Sequence, residues 1–553
     1  MTRRSLVALA AAGCATALAA PASAGGITVP RVGGLNFSSP VEGLPSAFWW
    51  NPAALGLMPG LQIGVDLDLT VALGSYERTI DPFGAPAAAG RYPLEKFTAI
   101  APGPLVSATF KASRITFGAA LFVPYGRDVD YPGFSEADTA DPTTITDATS
   151  PGRYHLLHAD FKHFYLTPGV SVELVRDTVW LGATFNVMYA QFASWLAADF
   201  PANSEDPSQQ TISRLGARCA GTVDDSDICS PDADGTLVKL APLTSLDFGF
   251  TAGVLLKPTD SFKLGASISS GAKSHFEGKG LFTTFLPQTY EADMDLTYKL
   301  PWTFNVGAEY KLRHKLEIDV WYTFQNYGVH ENFVICVGSA DGIEGSEGEN
   351  ALCADDAADN GRISNGLLNK AYNKYRGFKA SHAVNVGVAY PVVKDKVKVG
   401  LSVMYENSAV PKSALSLASV DGKKLDFMLT ALFSPTPWLD LSVGVSYIWG
   451  PKTDNTGESV FRRSSTFCDP KMPDSAPICG TEEFGPADGI YKLGVFRAGL
   501  GVTVKLFQPK PPKTEFYIPP TTPASGPASE PSVVPTGAPA SAPAPAPAPA
   551  PVP

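Results

Sequence analysis

The sequence predicts an all-β protein: a transmembrane antiparallel β-barrel of about fourteen strands with an N-terminal hatch, or plug, in its lumen. Three observations carry that reading. From Leu61 to Leu73 every odd position is apolar (Leu61, Ile63, Val65, Leu67, Leu69, Val71, Leu73), whereas Gln62, Gly64, Asp66, Asp68, Thr70 and Ala72 lie between them. A strand points successive side chains to opposite faces, so this segment has one face for lipid and one for a polar interior. The pattern returns down the chain between connections that alternate short and long. The chain also opens with an export signal.

Met1 to Ala24 reads as that signal. Arg3 and Arg4 form its positive start, Leu6 to Ala20 its apolar core, and Ala22-Ser23-Ala24 its cleavage site. The core is shorter than the ~20 residues of a spanning helix. A lipoprotein site at Cys14 is disfavoured because Ala11-Ala12-Gly13 lacks a large aliphatic residue. No later stretch is apolar for ~18 residues, so the mature chain has no predicted transmembrane helix. A net charge of −11 argues against a nucleic-acid partner. The 51 glycines and 10% aromatic content suit strands with tight turns.

Alternating or β-prone segments run near 61–76, 103–112, 114–125, 162–176, 178–192, 244–257, 261–270, 302–311, 315–327, 381–391, 396–407, 424–434, 438–450 and 493–507. An even count is what a closed antiparallel bacterial barrel requires, and closure leaves no unpaired edge in lipid. Tight turns are expected at 111–114, 176–178, 257–260, 312–315 and 434–437. The long connections fall on the other side, the expected polarity for periplasmic turns and outer loops. Segment 438–450 fits the membrane: ten steps of ~3.3 Å, tilted by ~40°, climb about 25 Å. Leu439, Leu441, Val443, Val445, Tyr447 and Trp449 share its outward face, with Trp449 at the aromatic girdle.

Two regions fall outside this pattern. Residues 25–60 contain Pro30, Pro40, Pro45, Pro52 and Pro59 and no clean periodicity, so they are expected to fold into the lumen ahead of the barrel at 61–507. Residues 508–553 end in Pro-Ala alternation, the composition of an extended, disordered periplasmic tether reaching on the order of 140 Å at ~3.1 Å per residue.

Six cysteines remain after the signal: Cys219, Cys229, Cys336, Cys353, Cys468 and Cys479. They form three near pairs inside long polar segments, and an exported chain meets an oxidising compartment, which favours local disulfides. Six cysteines still allow fifteen connectivities. The short Cys-x-x-Cys spacing of a metal site is absent.

Several motifs resemble the FadL/TodX-type transporters of long-chain fatty acids and hydrophobic compounds. Asn36-Phe37 to Leu55, ending Phe48-Trp49-Trp50-Asn51-Pro52-Ala53-Ala54-Leu55, is similar to that family's hatch. Gly118 to Gly126 resembles its third strand, Leu300 to Tyr310 its eighth, and Val410-Pro411 with Asp421 its closing region. The resemblance covers nearly all of 27–507. The 46-residue tail after Phe507 departs from the family pattern of a barrel ending on its terminal aromatic. The resemblance implies capture of an apolar ligand, hatch-controlled passage marked by Asn51, Pro52 and Ala53, and lateral release where the third strand kinks. Pro124 lacks a ladder donor and Gly126 permits unusual backbone angles, so Pro124, Tyr125 and Gly126 are the kink candidates; Pro124 marking only the strand's end is the other reading.

No nucleophile, phosphate-loop or zinc motif is present, so no enzyme, cofactor or metal site is expected. His155, His158 and His163 form one cluster beside Asp160, expected to be solvated loop bases, with metal binding as the other option. Asp224, Asp225, Asp227, Asp355 and Asp356 read as solvated surface, and Ala241 stands where a calcium loop starting near Ser230 needs its closing glutamate. The expected partners are an apolar small molecule such as a long-chain fatty acid, outer-membrane lipids and, through the tail, the cell wall or a periplasmic protein. A general porin, a lipid hydrolase and a structural tether are the alternatives. The cysteine reading makes a direct prediction. Non-reducing peptide mapping should return Cys219–Cys229, Cys336–Cys353 and Cys468–Cys479; free thiols or cross-loop pairs would refute it.

Overall fold

Two-residue alternation obliges the chain to put one face in lipid, and the computed structural model closes that face into a cylinder. The structure describes residues 29–33, 37–79, 91–131, 150–153, 155–198, 236–283, 289–312, 315–330, 332–340, 370–460 and 487–507. The expected signal at 1–24 and the expected tail at 508–553 lie outside them.

The wall begins with β1 (Leu61–Arg78), β2 (Glu95–Ala112), β3 (Ile115–Asp130), β4 (His158–Val175), β5 (Val179–Ala198) and β6 (Thr236–Thr259). The next four strands are each interrupted once. β7 comprises Phe262–Ser269 and Ala272–Thr283, and β8 comprises Thr289–Leu300 and Thr303–Lys311. β9 comprises Glu317–Gln325 and Asn332–Ala340, and β10 comprises Lys370–Tyr375 and Ser381–Val393. The wall ends with β11 (Val397–Glu406), β12 (Lys424–Thr436), β13 (Leu439–Trp449) and β14 (Gly489–Leu506). Every pairing is antiparallel. β1 pairs with β2 on one side and β14 on the other, in an unbroken register from Leu61↔Leu506 to Arg78↔Gly489, which closes the barrel.

The face assignment follows the sequence. Leu67, Leu69 and Leu73 are 43%, 44% and 55% exposed, while Gln62, Asp66, Asp68 and Thr70 are buried toward the lumen. Tyr447 and Trp449 are exposed on β13, where an aromatic girdle belongs. Ser113, Asp177, Lys315 and Asp395 take positive φ at the tight turns, and short polar side chains such as Ser and Asp tolerate that conformation better than branched ones.

The structure corrects the strand lengths. β2 starts at Glu95 rather than 103, and β3 runs to Asp130 rather than 125, so Pro124 lies inside a strand and not at its end. Ala272–Thr283, Thr289–Leu300, Asn332–Ala340 and Lys370–Tyr375 are strands that alternation did not reveal. β6 spans 24 residues, about twice the ~9–11 needed to cross a membrane. Above the lipid neither face has to be apolar, so the periodic signal fades while the ladder continues. Cys336 is a second correction: it is buried inside the strand Asn332–Ala340, not in a loop. The other five cysteines lie outside the described residues.

The N-terminal segment packs against the inner faces of the wall. It forms the short helix α1 (Ala47–Trp50) and a 3-10 turn (Pro52–Leu57), where no regular structure was expected. Phe48, Leu55 and Met58 are each at most 1% exposed, and burying such a side chain contributes roughly 1.5–3 kcal/mol. Close approach is permitted by glycine. Gly182 and Gly253 oppose each other across the β5–β6 ladder. A Cβ on Gly182 would lie 2.3 Å from Ala53 N, and one on Gly253 would lie 2.1 Å from Asn51 Oδ1.

Candidate functional site

Asn51 organises the N-terminal segment. It is fully buried; its Nδ2 donates to Pro40 O at 2.8 Å and to Val254 O on β6 at 3.0 Å. Its Oδ1 accepts from Ala53 N at 3.0 Å, capping the 3-10 turn that Pro52 begins. Further wall groups satisfy the backbone carbonyls of this segment. Ser171 Oγ donates to Ala53 O at 2.9 Å, Ser267 Oγ to Trp50 O at 2.5 Å and Lys111 Nζ to Gly56 O at 2.6 Å.

Charged side chains also tie the same segment to the wall. Lys263 Nζ lies 3.2 Å from Glu42 and 2.9 Å from Glu309. Burial works to raise the Glu42 carboxyl, but Lys263, a hydrogen bond with Glu309, Lys398 and Lys311 together outweigh it and hold the group below the ordinary carboxylate range. Arg31 approaches Asp426 at 3.3 Å, and Val29 N donates to Glu406 at 3.1 Å.

Above this floor lies a cavity lined mainly by apolar side chains. Val29 to Gly33 form its base. Its walls are inner-face residues of β1, β2, β3 and β14, among them Thr70, Phe97, Ala101, Val129 and Val495. Leu417 and Val420 roof it from the connection between β11 and β12.

That roof is fastened at both ends and in the middle. Asp421 Oδ2 accepts from Ala409 N at 2.8 Å and from Ser408 Oγ at 3.1 Å, folding the connection back on itself. Arg127 on β3 donates to Ala418 O at 2.9 Å, and Tyr131 Oη donates to Leu417 O at 2.7 Å.

The cavity reaches a break in the wall. Ala99 pairs with Val129 and the next β2–β3 partners are Leu105 and Phe122, so 100–104 and 123–128 do not pair with each other. Each half stays attached to its outer neighbour: 100–104 remain laddered to β1, and 125–128 to β4. Pro102, Pro104 and Pro124 sit at the break and offer no N–H for a ladder. Pro124 and Gly126 line the cavity, whereas Tyr125 is buried beside Trp49, with ring centroids 6.0 Å apart. The sequence singled out Pro124 but not Pro102, which fell before the expected start of β2 at 103, nor Pro104, which fell at its beginning.

The histidines do not assemble into a ligand set. His158 Nδ1 lies 2.6 Å from Asp130 Oδ1, while His163 is fully buried against Tyr125, Phe161 and Tyr165 instead of being solvated. Among the described residues, Glu42, Glu309 and Glu317 are the acids close enough to share a cation. Lys263, Lys311 and Lys398 already neutralise them.

A family profile described as outer membrane protein transport protein (OMPP1/FadL/TodX) matches residues 15–481. The chain belongs to this family. As a FadL/TodX-type protein it is an outer-membrane barrel that transports hydrophobic compounds. Its fold is similar to that of a FadL homologue of Pseudomonas aeruginosa, at 15% identity and TM-score 0.61, over 88% of this chain and 100% of that one. The toluene transporter TodX of Pseudomonas putida (13%, TM-score 0.53) is matched over 85% of this chain and 95% of its own. The toluene transporter TbuX of Ralstonia pickettii (12%, TM-score 0.52) is matched over 86% and 99%. No curated protein sequence matches this one.

The packing predicts how the floor fails. Asn51→Ala removes the amide's bonds to Pro40 O, Val254 O and Ala53 N, at ~1–3 kcal/mol for each buried group left unpaired, and Gly253→Val drives a side chain into the same place. Both variants should still insert as heat-resistant barrels but show raised single-channel conductance in planar bilayers. Wild-type conductance in both would contradict the geometry.

Proposed function

We propose that the protein takes up long-chain fatty acids or similarly apolar small molecules across the outer membrane. The N-terminal segment then acts as a hatch, and the ligand leaves sideways into the bilayer. One observation carries this reading: a single cavity touches the Val29–Gly33 floor, the Leu417–Val420 roof and the β2–β3 ladder break.

Each boundary has a physical role. The roof keeps water from an apolar ligand once it has passed the outer loops. The floor blocks an aqueous path to the periplasm. At the break, the apolar lining meets the lipid-facing surface without ladder hydrogen bonds to sever. An acyl chain moving through it stays out of water, which is favourable by about 0.8 kcal/mol per methylene. In the same reading the 508–553 tail lies in the periplasm and the cysteines form local disulfides.

Liposomes carrying the protein should leak little glucose yet speed the uptake of a fluorescent fatty acid. Deleting residues 29–58 should raise the glucose leak. Replacing Pro102, Pro104 and Pro124 together by Val, which restores ladder donors, should slow fatty-acid uptake about tenfold or more if each regained bond contributes ~0.5–1.5 kcal/mol. Rapid glucose flux through the wild type with no fatty-acid binding would favour a general porin instead.

A further inference from the structure

The floor meets the wall in two chemically different ways. Asn51 and Ala53 meet it through neutral groups, Val254 O and Ser171 Oγ. Glu42, earlier in the same floor, meets it through charge. Lys263 on β7 stands between two carboxyls, Glu42 at 3.2 Å and Glu309 of β8 at 2.9 Å. Lys311, also on β8, reaches Glu317 of β9 at 2.9 Å and Glu309 at 3.6 Å, and Lys398 of β11 pairs with Glu317.

These groups border a second, smaller cavity beside the floor, lined by Glu42, Glu309, Glu317, Asp319 and Lys398. Asp319 of β9 accepts a hydrogen bond from Ser39 of the floor. Arg31 reaches this cavity too, but its carboxylate partner is Asp426. Among the described residues, four carboxyls therefore share three ammonium groups, those of Lys263, Lys311 and Lys398. Oxygens of Glu42, Glu309 and Glu317 all lie within 4.8 Å of one another. Glu309 is 2% exposed, so solvent screens it little.

Two ionised carboxylates held this close repel, which favours a proton on one of them. Glu42 and Glu309 are hydrogen-bonded to each other. An ionised carboxylate only accepts, so a bond between two carboxyls exists only while one of them is protonated. Glu42 is the partner held ionised, which leaves Glu309 as the donor.

We propose that Glu42 and Glu309 share one proton, and that this proton latches the floor to the wall. Glu317 and Asp319 place negative charge behind the pair and strengthen its hold on the proton, whereas Lys263, Lys311 and Lys398 weaken it. Once alkaline solution removes the proton, the seam between floor and wall carries like charges on both sides, with Lys263 as their common counterion. The latch is thus closed at lower pH and lost as pH rises and Glu309 ionises. This inference rests on the reading of the N-terminal segment as a hatch and adds what holds that hatch shut.

Planar-bilayer conductance of the full chain tests it, with Asn51→Ala as the open reference. The wild type should conduct at least about threefold more at about pH 9.5 than at about pH 6, the effect of one lost hydrogen bond. Glu309→Gln, whose amide donates but cannot ionise, should stay low at both. A pH-independent wild type beside an open Asn51→Ala, or a Glu309→Gln that rises like the wild type, would overturn the latch. Should Glu309→Gln leak at both pH values, infrared difference spectra decide. The wild type must lose a protonated-carboxyl C=O band on going to the higher pH, and both Glu309→Gln and Glu42→Gln must lack that loss. The same loss in either variant, or none in the wild type, would refute the shared proton. An Asn51→Ala that conducts no more than the wild type at the lower pH would instead remove the hatch reading, and the infrared spectra alone would then judge the proton.

Discussion

The buried amide of Asn51 is the interaction on which the interior of this protein depends. A closed barrel of fourteen strands spends most of its wall backbone groups on its own ladders. A segment folded inside must therefore find partners for its own backbone, or leave buried carbonyls unpaired at ~1–3 kcal/mol each. Asn51 meets that demand at three points, joining Pro40, Ala53 and Val254. Gly182 and Gly253 make room for it, and Ser171, Ser267 and Lys111 satisfy the carbonyls around it. The floor of the cavity is thus built from the wall inward.

The same demand explains the break between β2 and β3. Prolines cannot donate to a ladder, and three of them, Pro102 and Pro104 on β2 and Pro124 on β3, lie in the stretch where the β2–β3 pairing stops. In lipid an unpaired edge is costly, so the break is short and each strand stays laddered to its outer neighbour. Arg127 on β3 and Tyr131 just beyond it attach the roof to the strand that carries one side of the break. Floor, roof and break consequently share one apolar space rather than three separate ones.

Much of this architecture was legible in the sequence. Period-two alternation marked all fourteen wall strands, because lipid on one side and a polar lumen on the other force opposite chemistries onto neighbouring residues. It failed where that force ends. Lys273, Ser274, His275 and Glu277 belong to a strand, yet no apolar face is demanded there. The motif Asn51-Pro52-Ala53 was visible, but its bond to Val254 was not, since 203 residues separate the partners. The Arg31–Asp426 contact spans 395 residues and has no local signature at all. His163 was misplaced for the opposite reason: a polar residue type was read as exposed although the lumen buries it among rings.

The account stands on one cavity holding the ligand against floor, roof and ladder break together. Crystals soaked with a terminally brominated fatty acid test it by the anomalous signal of the bromine. The account predicts a peak inside the cavity lined by Pro104, Pro124 and Val129, with the chain lying between Val32 and Leu417. Bromine found only on the lipid-facing surface, or in the smaller cavity beside Lys398 and Asp319, would contradict it.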